Sequence, residues 1–322
     1  MPLLDVEDLQ TQYNARGGIV RAVDGVSFQI EKGESLGIAG ESGCGKTTLG
    51  LSLMKLLPPN GWVSGGKIRI DGQDIATMNE NRFRKEVRWR KISTIFQGAM
   101  SALNPVYTIG HQLEEPLLYH QKISKKDAES KSIDVLKSVG MNKDVFHRYP
   151  HELSGGMKQR VIIAMALILN PKIVIADEPT TALDVIVQAQ VINLLKKLKR
   201  EQGLSIILIT HDLGLISEIA DKVGIMYAGR MVEFGSLEEV YNSPKHPYTD
   251  KLLKSVPRLK GRKRKLEFIP GTPPDLTNPP TGCRFHPRCH KVMEICSRQD
   301  PPTIIQNTQK TACWLYAKRS ES

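Results

Sequence analysis

One short segment limits what this chain can fold into more than any other. Gly40-Glu-Ser-Gly-Cys-Gly-Lys-Thr47 matches the pattern G-x-x-x-x-G-K-[ST] in full. A strand-like apolar run, Leu36–Ala39, precedes it, and a helix-like apolar stretch, Thr48–Leu57, follows it. Strand, glycine-rich loop and helix in this order form a phosphate-binding unit, because the glycines allow a tight turn whose backbone N–H groups point at phosphates. We expect Lys46 to reach the β- and γ-phosphates and the Thr47 hydroxyl to bind Mg²⁺.

A second predicted strand ends in two carboxylates. Ile173–Ala176 is a short, unbroken apolar run, typical of a strand buried in a parallel sheet, and Asp177 and Glu178 follow it directly. Open α/β sheets bind their ligands at the carboxyl ends of the strands. We therefore expect Asp177 in the Mg²⁺ shell and Glu178 as the general base that polarises an attacking water.

The other apolar runs fit the same kind of sheet. Ser205–Ile209 and Val223–Tyr227 are short and unbroken, and an amphipathic helix that stops near Gly203 precedes the first of them. The pattern between about Ile109 and Leu153 is helical. Up to about residue 80 the chain contains short β-rich runs separated by glycine-containing turns. The sequence therefore predicts an α/β core that is interrupted by a helical insert.

The composition changes after about Tyr241. Arg258–Lys265 is almost entirely basic, Pro270–Pro280 is rich in Pro and Gly, and four of the five cysteines follow. We expect the basic run to be a solvated linker, with contact to anionic lipid headgroups as the alternative. The change predicts an irregular, Cys-rich C-terminal extension.

Composition excludes several classes of protein. With 40% hydrophobic and 25% charged residues, the 322-residue chain is not disordered throughout. Its longest apolar run, Val161–Leu169, is far shorter than the roughly 20 residues that cross a bilayer. The N-terminus has acidic residues where a secretory signal has basic ones, so we expect a cytosolic protein with free or metal-binding thiols. The net charge of +11 is compatible with nucleic acid, a membrane surface or a phosphate ligand as partner.

A further segment resembles a known family. Leu153-Ser-Gly-Gly-Met-Lys-Gln159 resembles the signature motif of ATP-binding-cassette (ABC) ATPases, and the other elements of that family occur in order. They are Tyr13 for the aromatic residue that stacks on adenine, Gln97 for the glutamine loop, Ala182-Leu183-Asp184 for the D-loop and His211 for the switch histidine. The resemblance implies a nucleotide-binding domain over residues 1–240. This domain would be a P-loop NTPase with a RecA-like core sheet, an antiparallel β subdomain and a helical subdomain at about 98–160.

The same resemblance implies ATP and Mg²⁺ as cofactors. The residues expected to contact ATP are Tyr13, Gly40, Ser42, Gly43, Cys44, Gly45, Lys46, Thr47, Thr48, Gln97 and Asp177. Thr47, Gln97 and Asp177 would hold Mg²⁺, and Glu178, Gln97 and His211 would be catalytic. Cys44 stands where many relatives have Ser, and only its backbone N–H is needed there. If Lys46 depresses the pKa of this thiol, the site becomes sensitive to oxidation.

In the ABC family two ATPase domains meet head to tail. Carried over, Ser154, Gly155 and Gly156 would contact ATP bound to the partner chain. A Ser-Gly-Gly turn that opens a helix near Met157 presents bare N–H groups and a positive dipole end to a γ-phosphate, so the chemistry is consistent. ATP would then close the dimer and hydrolysis would release it.

Three segments resemble one branch of the family. Met100–Pro105, His246–Thr249 and Gly282–Cys289 are similar to segments of dipeptide and oligopeptide permease ATPases. The resemblance implies the ATP-hydrolysing subunit of a bacterial-type importer of di- and oligopeptides, peripheral on the cytoplasmic side of the membrane. Its implied partners are a second, related ATPase (or a second copy of this chain), two transmembrane permease subunits and an extracytoplasmic peptide-binding protein.

Other functions stay open at this point. An importer of another substrate, such as nickel, uses the same motifs. A DNA-repair or chromosome ABC ATPase would fit the basic charge, but no sustained heptads occur between Lys46 and Ser154. A redox enzyme built on the cysteines lacks a recognisable second cofactor site. We therefore expect no nucleic-acid partner.

Cys283, Cys289, Cys296 and Cys313 are candidate ligands of one metal centre in the predicted extension, residues 241–322. A small segment with little apolar sequence usually needs a disulfide or a bound metal for stability, and disulfides are disfavoured in the cytosol. Five, six and sixteen residues separate successive cysteines, which matches neither paired zinc spacings nor the ferredoxin run. The residues alone therefore leave free thiols, zinc or iron open. The permease resemblance implies a [4Fe–4S] cluster, with zinc as the alternative.

Overall fold

The computed structural model describes residues 1–98, 102–181, 183–255 and 268–317. Met100 and Ser101, Ala182 of the D-loop and the basic run Arg258–Lys265 lie outside the described residues. Two compact units make up the chain. Unit 1 comprises Met1–Ile30, Glu34–Ala76 and Ile209–Ser322, and unit 2 comprises Glu31–Gly33 and Thr77–Leu208. Within the described ranges, no helix combines the length and the apolar character that crossing a bilayer requires.

The strands and helices alternate along much of the chain. The strands are β1 (Leu4–Ala15), β2 (Gly18–Ile30), β3 (Ser35–Ala39), β4 (Gly61–Ile70), β5 (Gln73–Asp74), β6 (Ile92–Ile95), β7 (Ile173–Asp177), β8 (Ser205–Ile209), β9 (Lys222–Tyr227), β10 (Arg230–Ser236), β11 (Thr303–Gln306) and β12 (Gln309–Ala312). The α-helices are α1 (Lys46–Met54), α2 (Glu80–Glu86), α3 (Ile109–Gln121), α4 (Lys125–Ser138), α5 (Gly155–Leu167), α6 (Val185–Gln202), α7 (Leu213–Ile219), α8 (Leu237–Asn242) and α9 (Pro247–Lys254).

Unit 1 contains an antiparallel sheet with the strand order β2-β1-β4-β5. Alternate residues of its strands are buried, as period-2 patterning requires, among them Leu4 and Val6 in β1, Phe28 and Ile30 in β2 and Ile68 and Ile70 in β4. The register shifts after Val6, where Asp8 has a φ of 47° and acts as a bulge. The extra residue returns Leu9 to the buried face.

A second set of strands in unit 1 runs in the order β11-β12-β10-β9-β3. Parallel pairing joins β3 to β9, and every residue of β3 is buried. The strand leads directly into the glycine loop, and α1 follows the loop. The strand–loop–helix unit predicted from the sequence is therefore present.

The C-terminal segment is more regular than the sequence analysis predicted. Instead of an irregular, separate extension, residues 303–312 form the hairpin β11–β12, and Glu233 and Phe234 of β10 pair with Thr311 and Lys310 of β12. Asn307 adopts a φ of 57° in the tight turn between the hairpin strands, as Asn tolerates. Strands of only four residues carry little periodic signal, so the pattern did not reveal them. The domain boundary placed at residue 240 stays a prediction; residues on both sides of it belong to unit 1.

Unit 2 contains strands in the order β8-β7-β6, with β6 and β7 parallel, and the helices α2 to α6. Local sequence signals mark the ends of several of these helices. Ser124 caps α4 by accepting a hydrogen bond from the backbone N–H of Asp127. Gly203, with a φ of 64°, ends α6 where the sequence predicted a stop, and α6 buries Val191, Leu194, Leu195 and Leu198. These helices include the region predicted as the helical insert.

Candidate functional site

The glycine loop passes close to the backbone of β9 and of β2. Gly40 and Gly45 have φ values of 152° and 102°. A Cβ atom at Gly40 would lie 2.2 Å from the carbonyl oxygen of Met226, and one at Gly45 would lie 2.0 Å from that of Ala22. No side chain fits at either position, so the loop needs glycine for space as well as for backbone conformation.

Lys46 lies at the start of α1 and is 8% exposed. Its Nζ atom donates hydrogen bonds to the carbonyl oxygens of Gly40 at 2.7 Å and Glu41 at 2.9 Å, which closes the loop on itself. Gly45 occupies the N-cap position and supplies no side-chain cap, so the first N–H groups of α1 have no side-chain acceptor from that residue. The arrangement offers a positive charge and backbone donors to an anion.

The Cys44 side chain is buried beside Lys46, with 3.7 Å between Sγ and Nζ. Burial raises the pKa of this thiol, and the opposing effect of the Lys46 charge is smaller. The condition for an oxidation-sensitive thiol, a depressed pKa, is therefore not met. Burial outweighs the neighbouring charge, and only the structure shows the burial.

Two other predicted site residues of unit 1 adjoin this loop region. Tyr13 in β1 donates a hydrogen bond from its hydroxyl to Oγ1 of Thr48 at 3.2 Å, which brings its ring to the first turn of α1. His211 is exposed and follows β8, where the next residue, Asp212, caps α7 with its carboxylate. The backbone N–H of Thr210 donates to the carbonyl of Ile38 at 3.2 Å, so the strand before the loop fixes the residue before His211.

In unit 2, the predicted metal-binding and catalytic carboxylates occupy one strand end. Asp177 is the last residue of β7 and is 6% exposed. Glu178 follows with a φ of 48°, and its Oε2 accepts a hydrogen bond from the Thr181 hydroxyl at 3.3 Å. Gln97 lies exposed in the turn that follows β6, the strand paired with β7. The carboxyl ends of the two parallel strands thus place Gln97 and the two acids at the same edge.

The signature segment opens α5 in unit 2. Ser154 is the N-cap residue and accepts a hydrogen bond from the backbone N–H of Met157 at 3.4 Å. Ser154 and Gly155 are exposed, and Gly156 is partly so. An open cavity of about 310 Å³ lies against the segment, lined also by Arg160 and by Leu183 and Asp184 of the predicted D-loop. The structure therefore brings the signature motif and the described part of the D-loop together on one surface.

Known proteins match both this geometry and the sequence. The family model "ABC transporter" matches residues 23–181, and "Oligopeptide/dipeptide transporter, C-terminal region" matches residues 232–296. The dipeptide transport ATP-binding protein DppD of Bacillus subtilis is 47% identical over 99% of this chain and 96% of its own length. The oligopeptide transport ATP-binding protein OppD of the same organism is 46% identical over 97% of this chain and 88% of its own length.

The chain belongs to the ATP-binding proteins of dipeptide and oligopeptide ABC transporters. Among solved structures, a dimeric post-hydrolysis state of the ATP-binding cassette MJ0796 with ADP and phosphate aligns with a TM-score of 0.65 and 28% identity over 73% of this chain and 98% of that one. The cbiO1 protein of Clostridium perfringens aligns with a TM-score of 0.64 and 29% identity over 75% of this chain and 91% of that one. The predictions of an ABC P-loop fold and of an ATPase are confirmed.

Four of the five cysteines of this ABC ATPase lie in the C-terminal part of unit 1. Burial raises the pKa of Cys283 and of Cys313 to about 11 and also raises that of Cys289, and neighbouring cysteines add to each shift. The backbone N–H of Cys283 donates to the carbonyl oxygen of Cys296 at 2.8 Å, so these two cysteines are close neighbours. Nevertheless, among the described residues no group of three or more His, Cys, Asp or Glu side chains could hold a metal ion. Among the described residues, the structure therefore does not support the predicted metal centre.

Sequence reasoning missed three residues that surround the glycine loop. Glu41 was treated as a variable position of the motif, yet its backbone N–H donates to the Tyr248 hydroxyl at 2.9 Å. Its carboxylate accepts two hydrogen bonds from Arg288. Tyr248 and Arg288 lie in the two C-terminal segments, His246–Thr249 and Gly282–Cys289, that were noted only for their resemblance. The resemblance of those two segments to permease ATPases was the sequence signal that could have marked Tyr248 and Arg288 as functional.

Proposed function

We propose that this ABC ATPase lies on the cytoplasmic side of a cell membrane and powers the uptake of di- and oligopeptides across that membrane. The observation that carries the proposal is the second family match, because "Oligopeptide/dipeptide transporter, C-terminal region" covers residues outside the general ABC match. The relatives that align over nearly the whole chain are dipeptide and oligopeptide transport ATP-binding proteins. A nickel importer is the second candidate of the same class.

In this proposal, unit 1 binds the nucleotide phosphates. Lys46 and the N–H groups at the start of α1 hold the phosphates, and the other ATP contacts are the predicted loop residues with Tyr13 beside Thr48. The Thr47 hydroxyl and the oxygens of Asp177 and Gln97 are hard donors of the kind Mg²⁺ prefers, so this donor set suits the ion. Bound Mg²⁺ would neutralise charge on the phosphates.

Hydrolysis is assigned to the strand-end residues. Glu178 would accept a proton from the attacking water at its carboxylate, and His211 and Gln97 would orient the reacting groups. Ser154, Gly155 and Gly156 would contact ATP held by a partner ATPase, and the cavity at this segment is where that contact would occur. The partner is proposed to be a related ATPase chain, with a second copy of this chain as the alternative.

The proposed membrane partners are two transmembrane permease subunits, supplied with peptide by an extracytoplasmic binding protein. Apolar side chains are exposed close to the glutamine loop and in the adjoining helix, since Val106 is 70% and Tyr119 52% exposed. Exposed apolar side chains can form part of a protein contact. We assign residues 97–105 and the helical insert at about 98–160 to the contact with the permease subunits.

The four C-terminal cysteines are proposed to bind a [4Fe–4S] cluster, with zinc as the alternative. Their occurrence within one segment, residues 283–313, and their four-thiolate chemistry support this proposal. Among the described residues, the side chains do not form a metal-ligand set. No step of ATP hydrolysis is assigned to the cluster. Protein purified without oxygen should contain iron and acid-labile sulfide. One zinc per chain would replace the iron assignment, and protein with neither metal would reject the centre.

One experiment tests the importer itself. The chain carrying an affinity tag is purified from native membranes, and its co-purifying subunits are identified. We expect two membrane subunits and a second ATPase, and peptide with its binding protein should stimulate ATP hydrolysis in the reconstituted complex. Recovery with DNA and without membrane subunits would reject the importer, and stimulation by nickel instead of peptide would favour the second candidate.

A further inference from the structure

Arg288 uses every N–H donor of its guanidinium group. Nη1 donates to Oε2 of Glu41 at 2.6 Å and to the Tyr227 hydroxyl at 3.2 Å, and Nη2 donates to Oε1 of Glu41 at 2.9 Å and to the Gly271 carbonyl at 3.3 Å. Nε donates to the Pro270 carbonyl at 2.7 Å. The residue is only 8% exposed, so this charge is desolvated and fully paired.

Glu41 is the second residue of the glycine loop and is held at three points. Its carboxylate receives the two-bonded contact from Arg288, and its backbone N–H donates to the Tyr248 hydroxyl. Its carbonyl oxygen accepts from Nζ of Lys46, the residue assigned to the phosphates. A shift of Glu41 would therefore move the acceptor of Lys46 as well as the loop backbone.

The partners of this contact are themselves fixed by packing. Tyr227, Tyr248 and Phe285 are each no more than 1% exposed, and their ring centroids lie 4.7 to 5.3 Å apart. The Arg288 guanidinium lies 5.7 Å from the centre of the Tyr227 ring. Aromatic packing of this kind fixes side-chain positions. Arg288 thus projects from a rigid base toward the loop.

We propose that Arg288 is a positioning residue for the phosphate-binding loop, acting through the Glu41 carboxylate. The proposal rests on the ATP site described above and assigns the C-terminal segment a part in ATP affinity. Arg288 touches no nucleotide in this scheme. It holds Glu41 so that the loop backbone and Lys46 are already placed when ATP arrives, and misplacement of a binding group by about 1 Å can reduce function by two orders of magnitude.

The test compares nucleotide binding and hydrolysis in full-length variants. Arg288→Gln and Glu41→Gln each break the bidentate salt bridge, the first by removing the guanidinium and the second by removing the carboxylate charge. Each should raise the Kd of a fluorescent ATP analogue with Mg²⁺, and the KM for ATP, about tenfold, while kcat changes less than twofold. The double variant should be no worse than either single variant, because both changes remove the same contact. Arg288→Lys keeps the charge but not the fork geometry and should lie between Arg288→Gln and the wild type.

Arg69→Gln is the matched control. Arg69 also makes a two-bonded contact with a carboxylate, that of Glu7, in the antiparallel sheet of unit 1. Its loss should leave the Kd for the analogue within twofold, even where the melting temperature falls.

Unchanged Kd in both Arg288→Gln and Glu41→Gln, or additive effects in the double variant, would overturn the proposal. If Arg288→Gln does not fold, Glu41→Gln decides alone. A wild-type chain that binds no ATP would reject the ATP site itself.

Discussion

The glycine loop of unit 1 is enclosed by its own unit, whereas the signature segment of unit 2 is open. Gly40 and Gly45 lie against strand backbone, and Lys46 is buried and hydrogen-bonded within the loop. Ser154 and Gly155 are exposed beside a cavity, and the backbone N–H of Met157 donates to the serine side chain. The loop is preorganised by contacts inside the chain. The signature segment has its binding groups ready on an open surface, as expected of a region completed by another chain.

The largest expected effect concerns the strand end in unit 2. Glu178→Gln should lower the rate of ATP hydrolysis by about 100-fold or more, because it removes the proposed general base, while ATP still binds. Phosphate release and nucleotide binding measure the two quantities separately. Glu201→Gln, on the exposed end of α6, is the control and should hydrolyse ATP at the wild-type rate. A Glu178→Gln protein with wild-type turnover would contradict the role of this residue.

The comparison between the two regions is tested directly by Lys46→Ala and Ser154→Ala. Loss of the Lys46 charge should weaken ATP binding by the single chain by about 2–3 kcal/mol, because hydrogen bonds to charged groups contribute that much. Ser154→Ala should leave this binding within about twofold and instead reduce ATP-induced dimerisation. Calorimetry and light scattering give the two readouts. Equal loss of single-chain binding in both variants would remove the distinction between the regions.

Enclosure of the loop also predicts a difference between two of its glycines. Gly43 and Gly45 both have positive φ values, 77° and 102°, but a Cβ at Gly43 meets no atom within 4 Å. Gly45→Ala should therefore lower the free energy of unfolding by roughly 2–5 kcal/mol, from backbone strain plus collision with Ala22. Gly43→Ala should cost about 1–2 kcal/mol from strain alone. If urea unfolding gives equal losses of unfolding free energy for the two variants, collision of a side chain with Ala22 does not destabilise the loop at Gly45.

A pH dependence is also expected near the loop. His246 caps α9, which carries Tyr248, and burial lowers the pKa of His246 to about 3. The unfolded chain, in which the pKa is about 6.5, binds the proton more readily, so stability is full above pH 6.5 and falls as the pH drops toward 3. The loss approaches about 1.4 kcal/mol per pH unit. His246→Asn keeps a capping side chain and should reduce the difference in unfolding free energy between pH 7 and pH 5.

Local patterns predicted the parts of the fold in which neighbouring residues determine the geometry. The glycine loop, the buried strands before it and before Asp177, and the caps Ser124 and Gly203 are all encoded within a few residues. The same holds for Ser154 at the start of α5. These features need no knowledge of distant parts of the chain.

Long-range contacts could not be predicted in this way. Glu41 and Arg288 are 247 positions apart, and nothing local marks them as partners. The proximity of Lys46 to Cys44 was visible in the sequence, but the burial that decides the direction of the thiol pKa was not. Cysteine content predicted a metal centre that the described side chains do not form. The β11–β12 hairpin was missed because each of its strands is only four residues long.

The contacts of Glu41 impose an order on events during synthesis. Unit 2 consists almost entirely of the continuous stretch Thr77–Leu208, whereas unit 1 is assembled from segments at both ends of the chain. The ribosome releases the N-terminal part first, and contacts between distant positions form slowly. The loop residues 40–47 therefore emerge long before Tyr248 and Arg288, which complete their surroundings. A nascent chain holds its nucleotide-binding sequence early but attains the finished loop only when the last part of the protein has been made.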